Sequence, residues 1–253
     1  MNEVGDLPSA GEIVRRVDGI DGWMTPGQGV ALAQAAAACP PAGTIVEIGS
    51  FRGRSTIVLA SAADPSVSVI AIDPHAGNDR GPQEIDGFEA EADGDHAVFL
   101  GNLAAAGVAE RVRHLRMYSG DALTEVDGTI DVLYVDGAHR YRPALSDIRS
   151  WGARVNDGGT MLIHDSFSSI GVTGAICRAL VGSGRWRYVG RSRSLAIYCA
   201  DLSASPSARI ANAGRQIAQL PWFVRNVGLK LVLALGGGRL WRLVGRPEPE
   251  WPY

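Results

Sequence analysis

Between residues 44 and 163, short apolar runs alternate with segments of helical spacing, and few architectures accept that alternation. Thr44–Ile48 (TIVEI), Val67–Ile72 (VSVIAI), Val112–Met117, Ile130–Val135 and Thr160–Ile163 read as strands. Ser55–Ala63, 95–106 and Pro143–Val155 read as the helices between them. Such a series implies an α/β fold with a doubly wound parallel sheet. A helix over 170–182 leads to two further strands, Trp186–Val189 and Ser194–Cys199. These lie too close for a crossover helix, so they should pair as an antiparallel hairpin. The expectation is a seven-stranded sheet whose last strand is antiparallel.

The flanks differ from this core. Residues 10–18 and 27–39 read as two helices, the second capped by Thr25 with Pro26 at its first position. After Ser203–Ser207 (SASPS), which looks like a linker, residues 208–220 and 222–235 have helical spacing up to Gly236-Gly237-Gly238. The organisation expected is an N-terminal helical cap (1–40), a core (41–201) and a basic helical extension (202–253). Charge marks the last boundary. Residues 202–253 hold seven cations against two acids, a net of +5, which leaves −8 for the first 201 residues of a chain whose total is −3. An acidic body of this kind is no nucleic-acid polycation.

Lys230 is the only lysine beside 23 arginines, a bias typical of GC-rich coding sequence. Cys39, Cys177 and Cys199 are odd in number and without CxxC spacing, which argues for a reducing compartment. The first residues lack the apolar core of a signal peptide, and Val227–Leu235 is too short to span a bilayer. A cytoplasmic protein is expected.

In open α/β sheets ligands bind beyond the carboxyl ends of the strands. After the first strand comes Glu47-Ile48-Gly49-Ser50-Phe51-Arg52-Gly53-Arg54-Ser55-Thr56. Its two glycines allow a ligand close to the backbone, ahead of a helix N-terminus. The spacing is neither GxGxxG nor GxxxxGK[ST], which disfavours a dinucleotide and excludes a phosphate-binding NTPase loop. Asp73 follows the second strand, where an acid can accept from a ribose diol. Asp121, after the third, can accept from an exocyclic amine or cap the next helix. After the fourth strand comes Asp136-Gly137-Ala138-His139-Arg140-Tyr141, and after the fifth His164-Asp165-Ser166. Carboxylates on neighbouring strand ends can hold a hard divalent cation. Asp147 and Tyr141 are read as fixing the following helix.

Together these segments resemble the class I S-adenosylmethionine-dependent O-methyltransferases, over about residues 40–200. VEIGSFRGRST is similar to their first motif, IAIDPH to their second and SGDAL to the segment carrying the adenine-side acid. The resemblance implies a Rossmann-like fold and cofactor contacts from Glu47, Gly49, Ser50, Gly53, Ser55, Asp73 and Asp121. DGxHxYxxxxxD followed by HD resembles a metal-dependent subfamily that acts on macrolide and aminocoumarin sugars. A methylmannose-polysaccharide methyltransferase is the narrowest such match. By that resemblance Asp136 and Asp165 are ligands of Mg2+ or another divalent cation, with His164 as a third. His164 departs from the pattern by standing where the sugar enzymes tend to have an acid, and Ser166 stands in place of an amide ligand. His139 is the candidate base and Asp136 its catalytic neighbour.

The expected acceptor is a hydroxyl of a sugar, an oligosaccharide or a glycosylated metabolite. A catechol-like acceptor, or a non-methylating, oxygenase-related enzyme on the same scaffold, stays open as an alternative. The stretch 77–94 reads as a long acidic loop, with six acids against Arg80, that repels polyanions. No nucleic-acid partner is therefore expected. The extension interleaves Trp222, Phe223, Trp241 and Trp251 with arginines. It is expected to pack within a homodimer, with contact to a membrane surface as the lesser alternative.

Overall fold

Strand-forming and helix-forming segments follow one another as the alternation requires. The computed structural model describes residues 8–76, 89–201 and 205–234. They form, in chain order, α1 (Ala10–Arg16), α2 (Pro26–Ala37), β1 (Thr44–Ile48), α3 (Arg54–Ala62), β2 (Ser68–Ile72), α4 (Glu89–Ala105), β3 (Val112–Leu115) and α5 (Ser119–Ala122). There follow β4 (Ile130–Val135), α6 (Tyr141–Ser150), β5 (Val155–Ile163), α7 (Ile170–Ala179), β6 (Trp186–Ser192), β7 (Leu195–Ala200), α8 (Pro206–Ile217) and α9 (Leu220–Ala234). The seven strands make one sheet in the order β3-β2-β1-β4-β5-β7-β6. The first five are parallel, and β7 runs antiparallel between β5 and β6. The expected fold class is the one observed.

Alternation along each strand divides the core in two. Val46, Ile48, Ile70, Leu133, Val135 and Ile163 enter one buried cluster with Trp151 and Phe167. Ile45, Val69, Val132, Tyr134 and Leu162 face the other way, against Leu59 and Phe99. Ile13, Val17 and Leu32 belong to this second cluster, so the N-terminal helices share the core of the sheet. Thr25 caps α2 in a capping box with Gln28, and Pro26 opens the helix. Gln28 also reaches Ser194 Oγ, at 3.1 Å, which ties α2 to the β6–β7 turn.

Several element bounds differ from the sequence expectation: α6 is Tyr141–Ser150, β3 ends at Leu115, α7 ends at Ala179, β6 runs to Ser192, and three further differences have clear causes. Helix α4 begins at Glu89 rather than at 95, in a Glu/Ala-rich stretch with strong helix propensity. The rest of the expected acidic loop, 77–88, lies outside the described residues, as do 202–204 of the linker and everything after 234. Strand β5 begins at Val155 rather than Thr160, because Ile130 pairs with Val155 while Val132 pairs with Thr160. The polar Asn156-Asp157-Gly158-Gly159 stretch is thus a bulge within a strand, with Gly158 at φ +78°. Finally, the SGDA segment forms the four-residue helix α5.

The strand order reverses between β1 and β4, and here the chains after the two strands cross closely. Gly49 has φ +87°, and a Cβ on it would lie 2.2 Å from the carbonyl oxygen of Asp136. Gly107 also has positive φ, +69°, but faces open space. We expect Gly107→Ala to cost about 1 kcal/mol, the left-handed penalty alone, and Gly49→Ala to cost more than about 4 kcal/mol because a main-chain clash is added. Urea unfolding of the two variants measures the difference.

Candidate active site

Asp73, at the end of β2, gathers the loop that follows β1. Its Oδ2 accepts from the backbone N–H of Ser50 (2.9 Å) and Phe51 (2.8 Å), and its Oδ1 from that of His75 (2.8 Å). Phe51 (φ +44°) and His75 (φ +45°) are both left-handed, and both donate to this carboxylate. The hydrogen bonds thus hold two strained residues in place. Arg52 is paired with Asp21 and, at 2.7 Å, with Asp95 of α4, while Asn102 donates to the Arg52 carbonyl at 2.8 Å. Gly53 caps α3 at φ +85°, and a Cβ on it would stand 3.1 Å from the Phe99 ring. The loop is therefore fixed on three sides, with the buried Ser50 Oγ lacking a hydrogen-bond partner among the described residues.

Glu47 is wholly buried on β1, and its two oxygens accept from the Ser55 and Thr56 hydroxyls at the start of α3. Burial pushes its carboxyl up to about 8, against the two hydroxyl hydrogen bonds and with help from Asp136 and Asp73. Of the expected cofactor residues, Glu47, Gly49, Ser50, Gly53, Ser55 and Asp73 thus meet around one loop. Glu47 and Ser55 bond to each other. Asp121 sits apart, exposed within α5 rather than at its cap. Asp147 fixes that segment: it accepts from Ser119 Oγ at 2.6 Å, and burial raises its carboxyl to about 6.

Beyond β4 and β5 a second group converges. Tyr134 Oη donates to Asp136 Oδ2 at 2.8 Å. His164 Nδ1 stands 3.1 Å from Asp136 Oδ1 and 3.8 Å from Asp165 Oδ2, and His139 Nε2 is paired with Asp165 Oδ2. Burial alone would raise the Asp165 carboxyl, but His164, His139 and Lys230 hold it well below the usual range. Asp165 and Phe167 are again left-handed, at φ +52° and +54°. A small cavity at this end is lined by Asp136, Gly137, Ala138, His139, His164 and Val172, among others. Close packing seats His139: a Cβ on Gly171 would lie 2.2 Å from the His139 carbonyl oxygen.

Asp136, His164 and Asp165 come together as expected, but as a chain of carboxylates and imidazoles. Among the described residues no group of three or more His, Cys, Asp or Glu side chains is placed to hold a metal ion. The imidazole of His164 lies between the two carboxylates, where a shared cation would need to be. The arrangement does not fit a metal as it stands. It does fit an adenosyl sulfonium: a rigid glycine loop, the unpartnered Ser50 hydroxyl and nearby carboxylates. Lys230 and Tyr134 were missed from sequence. Lys230 is 65 positions from Asp165, and Tyr134 reads as an ordinary core residue of β4. The one available signal was that Lys230 is the sole lysine.

Residues 46–166 match a family model described as a methyltransferase domain. An uncharacterized protein of Acanthamoeba polyphaga mimivirus is 30% identical over 127 residues, or 48% of this chain. The chain spans about half of that relative, 51% of its length. The O-methyltransferase NovP superposes with a TM-score of 0.53 at 19% identity, over 68% of this chain and 78% of that one. TomG from Streptomyces achromogenes, an O-methyltransferase involved in tomaymycin synthesis and solved with SAM, gives 0.53 at 20% identity, over 79% and 91%. An O-methyltransferase from Bacillus cereus, solved with SAH, gives 0.54 at 16% identity, over 79% and 93%.

The buried Glu47 carboxyl gives a test of this geometry. Between about pH 4.5 and 8 the folded chain keeps a proton that the unfolded chain releases, so this group lowers stability as pH rises through that window. Glu47→Gln should remove a slope on the order of a few kcal/mol, seen by denaturant unfolding at pH 5 to 8.5. The fold is similar to that of solved O-methyltransferases, and residues 46–166 match a methyltransferase-domain model.

Proposed function

We propose that this protein transfers the methyl group of S-adenosylmethionine to a hydroxyl of a sugar, an oligosaccharide or a glycosylated metabolite. The observation that carries the reading is the His139–Asp165 pair beside the fixed glycine loop. Bound S-adenosylmethionine supplies a methyl group on a sulfonium, open to in-line displacement. The chain's own residues orient the acceptor and take its proton. Asp165, anionic through its neighbours, accepts from His139 Nε2 and so selects the tautomer with a free lone pair on Nδ1. Nδ1 has no hydrogen-bond partner among the described residues and is the atom assigned to the acceptor proton. As the new O–CH3 bond forms and the S–CH3 bond breaks, the imidazolium is stabilised by the Asp165 carboxylate. Asp136, tied to Tyr134 and beside His164, adds a second fixed negative charge near the sulfonium side.

The divalent cation expected from sequence takes no step in this scheme, because the His164 imidazole stands between Asp136 and Asp165.

Radiolabelled methyl transfer from S-adenosylmethionine to a panel of sugars, oligosaccharides and catechols tests the acceptor class, and catechol-only transfer refutes it. His139→Ala should lower kcat by about a hundredfold or more, with S-adenosylhomocysteine affinity within about threefold as read by calorimetry. Full turnover in that variant removes His139 as the base. Activity should survive EDTA. Loss in chelator with recovery in magnesium would show that Asp136, His164 and Asp165 regroup around a cation during turnover.

A further inference from the structure

Helices α8 and α9 bury three amide side chains, pack Trp222 and Phe223 partly against the core, and expose aliphatic side chains on their other face. On α8, Asn212 and Gln216 are buried. Asn212 accepts from the Tyr188 N–H at 2.7 Å and donates to the Trp186 carbonyl at 2.9 Å. Tyr198 Oη donates to Gln216 at 3.4 Å. On α9, Asn226 is buried and donates to the Phe167 carbonyl at 3.1 Å. On the other side Ile210 is 75% exposed, Ile217 53%, Val224 67% and Leu231 59%. Each pair is seven residues apart, two helical turns, and so lies on one face of its helix. A surface helix of a globular protein ordinarily points its apolar stripe inward. A single exposed aliphatic residue needs no explanation, but a repeated row opposite a buried polar face does.

Charge selects what covers the row. Residues 206–234 contain Arg209, Arg215, Arg225 and Lys230 and no acid. Lys230 acts on Asp165. The three arginines are exposed, Arg209 also donating to the Gly182 carbonyl at 2.9 Å. A symmetric contact centred on this face would bring Arg209 and Arg225 to its rim with no acid of these helices to meet them. An anionic lipid surface satisfies both features, taking the aliphatic side chains into its interface and the arginines at its headgroups. No helix among the described residues is long and apolar enough to cross a membrane, so the fit is to lying on one.

We propose that the outward face of α8 and α9 seats the protein on an anionic membrane surface through Ile210, Ile217, Val224 and Leu231. The first 201 residues, at −8, are repelled by the same surface, which orients the molecule with these helices downward. The inner face of α9 meets the catalytic end through Asn226 and Lys230, so the docked helix carries the active site beside the bilayer.

Flotation of the full chain with vesicles tests this. Phosphatidylcholine vesicles containing phosphatidylglycerol should bind it at least about tenfold better than phosphatidylcholine alone, and about 0.5 M salt should weaken the binding. The Ile217→Asp/Leu231→Asp chain should lose binding about tenfold with an unchanged thermal midpoint, because both side chains are exposed. An Arg215→Glu/Arg225→Glu chain should lose it too, and serves as the second variant should the first not fold. No binding to anionic vesicles overturns the proposal. So does binding undiminished in both variants, which would assign the attraction to residues beyond 234. A dimer in vesicle-free solution that the first variant dissociates also overturns it, in favour of a second copy.

Discussion

One carboxylate holds the cofactor side of this molecule in shape. Asp73 accepts from three main-chain N–H groups, two from the loop after β1 and one from the turn after β2. Phe51 and His75, two of those donors, sit in the left-handed region that non-glycine residues avoid. A carboxylate bonded by several amides is strong enough to offset such strain, since each bond is charge-assisted. The loop conformation and the placement of Ser50 follow from it. Without Asp73 the glycines would permit many loop shapes. With it, they permit the close crossing of Gly49 over Asp136, which brings the cofactor loop against the catalytic group.

Negative charge then accumulates at the strand ends, and its compensation defines what the site can do. Glu47 solves the problem by staying protonated through the neutral range, inside a shell of two hydroxyls. Asp165 solves it the other way, kept anionic by two imidazoles and the only lysine. Two carboxylates on adjacent parts of one sheet are thus driven apart in character by their surroundings, which is how acid–base roles are divided in enzymes. The anionic one orients His139. Imidazole–carboxylate pairing thus joins His139, Asp165, His164 and Asp136 in one chain.

Much of this was legible in the sequence, for identifiable reasons. β1 and β4 were read to the residue, since short apolar runs bounded by charged or glycine-rich turns leave no other reading. β5 was not, because Asn156-Asp157-Gly158-Gly159 carries turn chemistry inside a bulged strand. The early start of α4 was hidden by the density of acids and glycine around it. For the candidate site, position relative to strand ends singled out Asp73, Asp136, His139, His164 and Asp165, and the fold gathers the last four beyond β4 and β5. Their partners were not legible. That Asp73 binds amides, that Ser55 serves Glu47, and that Lys230 reaches Asp165 from a distant helix depend on tertiary approach, to which local spacing is blind.

The C-terminal helices complete the same electrostatic logic. In sequence, the +5 extension stood as a contrast to an acidic body and as an expected dimer contact, with a membrane surface as the lesser alternative. In the fold, its inner face is spent on polar bonds to β6 and to the loop after β5, through Asn212 and Asn226. Those bonds fix the two helices without using their aliphatic residues, which leaves Ile210, Ile217, Val224 and Leu231 outward. A helix pair that needed only to finish the core would turn these aliphatic residues inward beside Trp222 and Phe223, since burying leucine and isoleucine stabilises. On the proposed membrane surface those aliphatic residues would be covered and the arginines would meet anionic headgroups. The same helix supplies Lys230 to Asp165, so whatever α9 rests on is coupled to the charge balance of the catalytic pair.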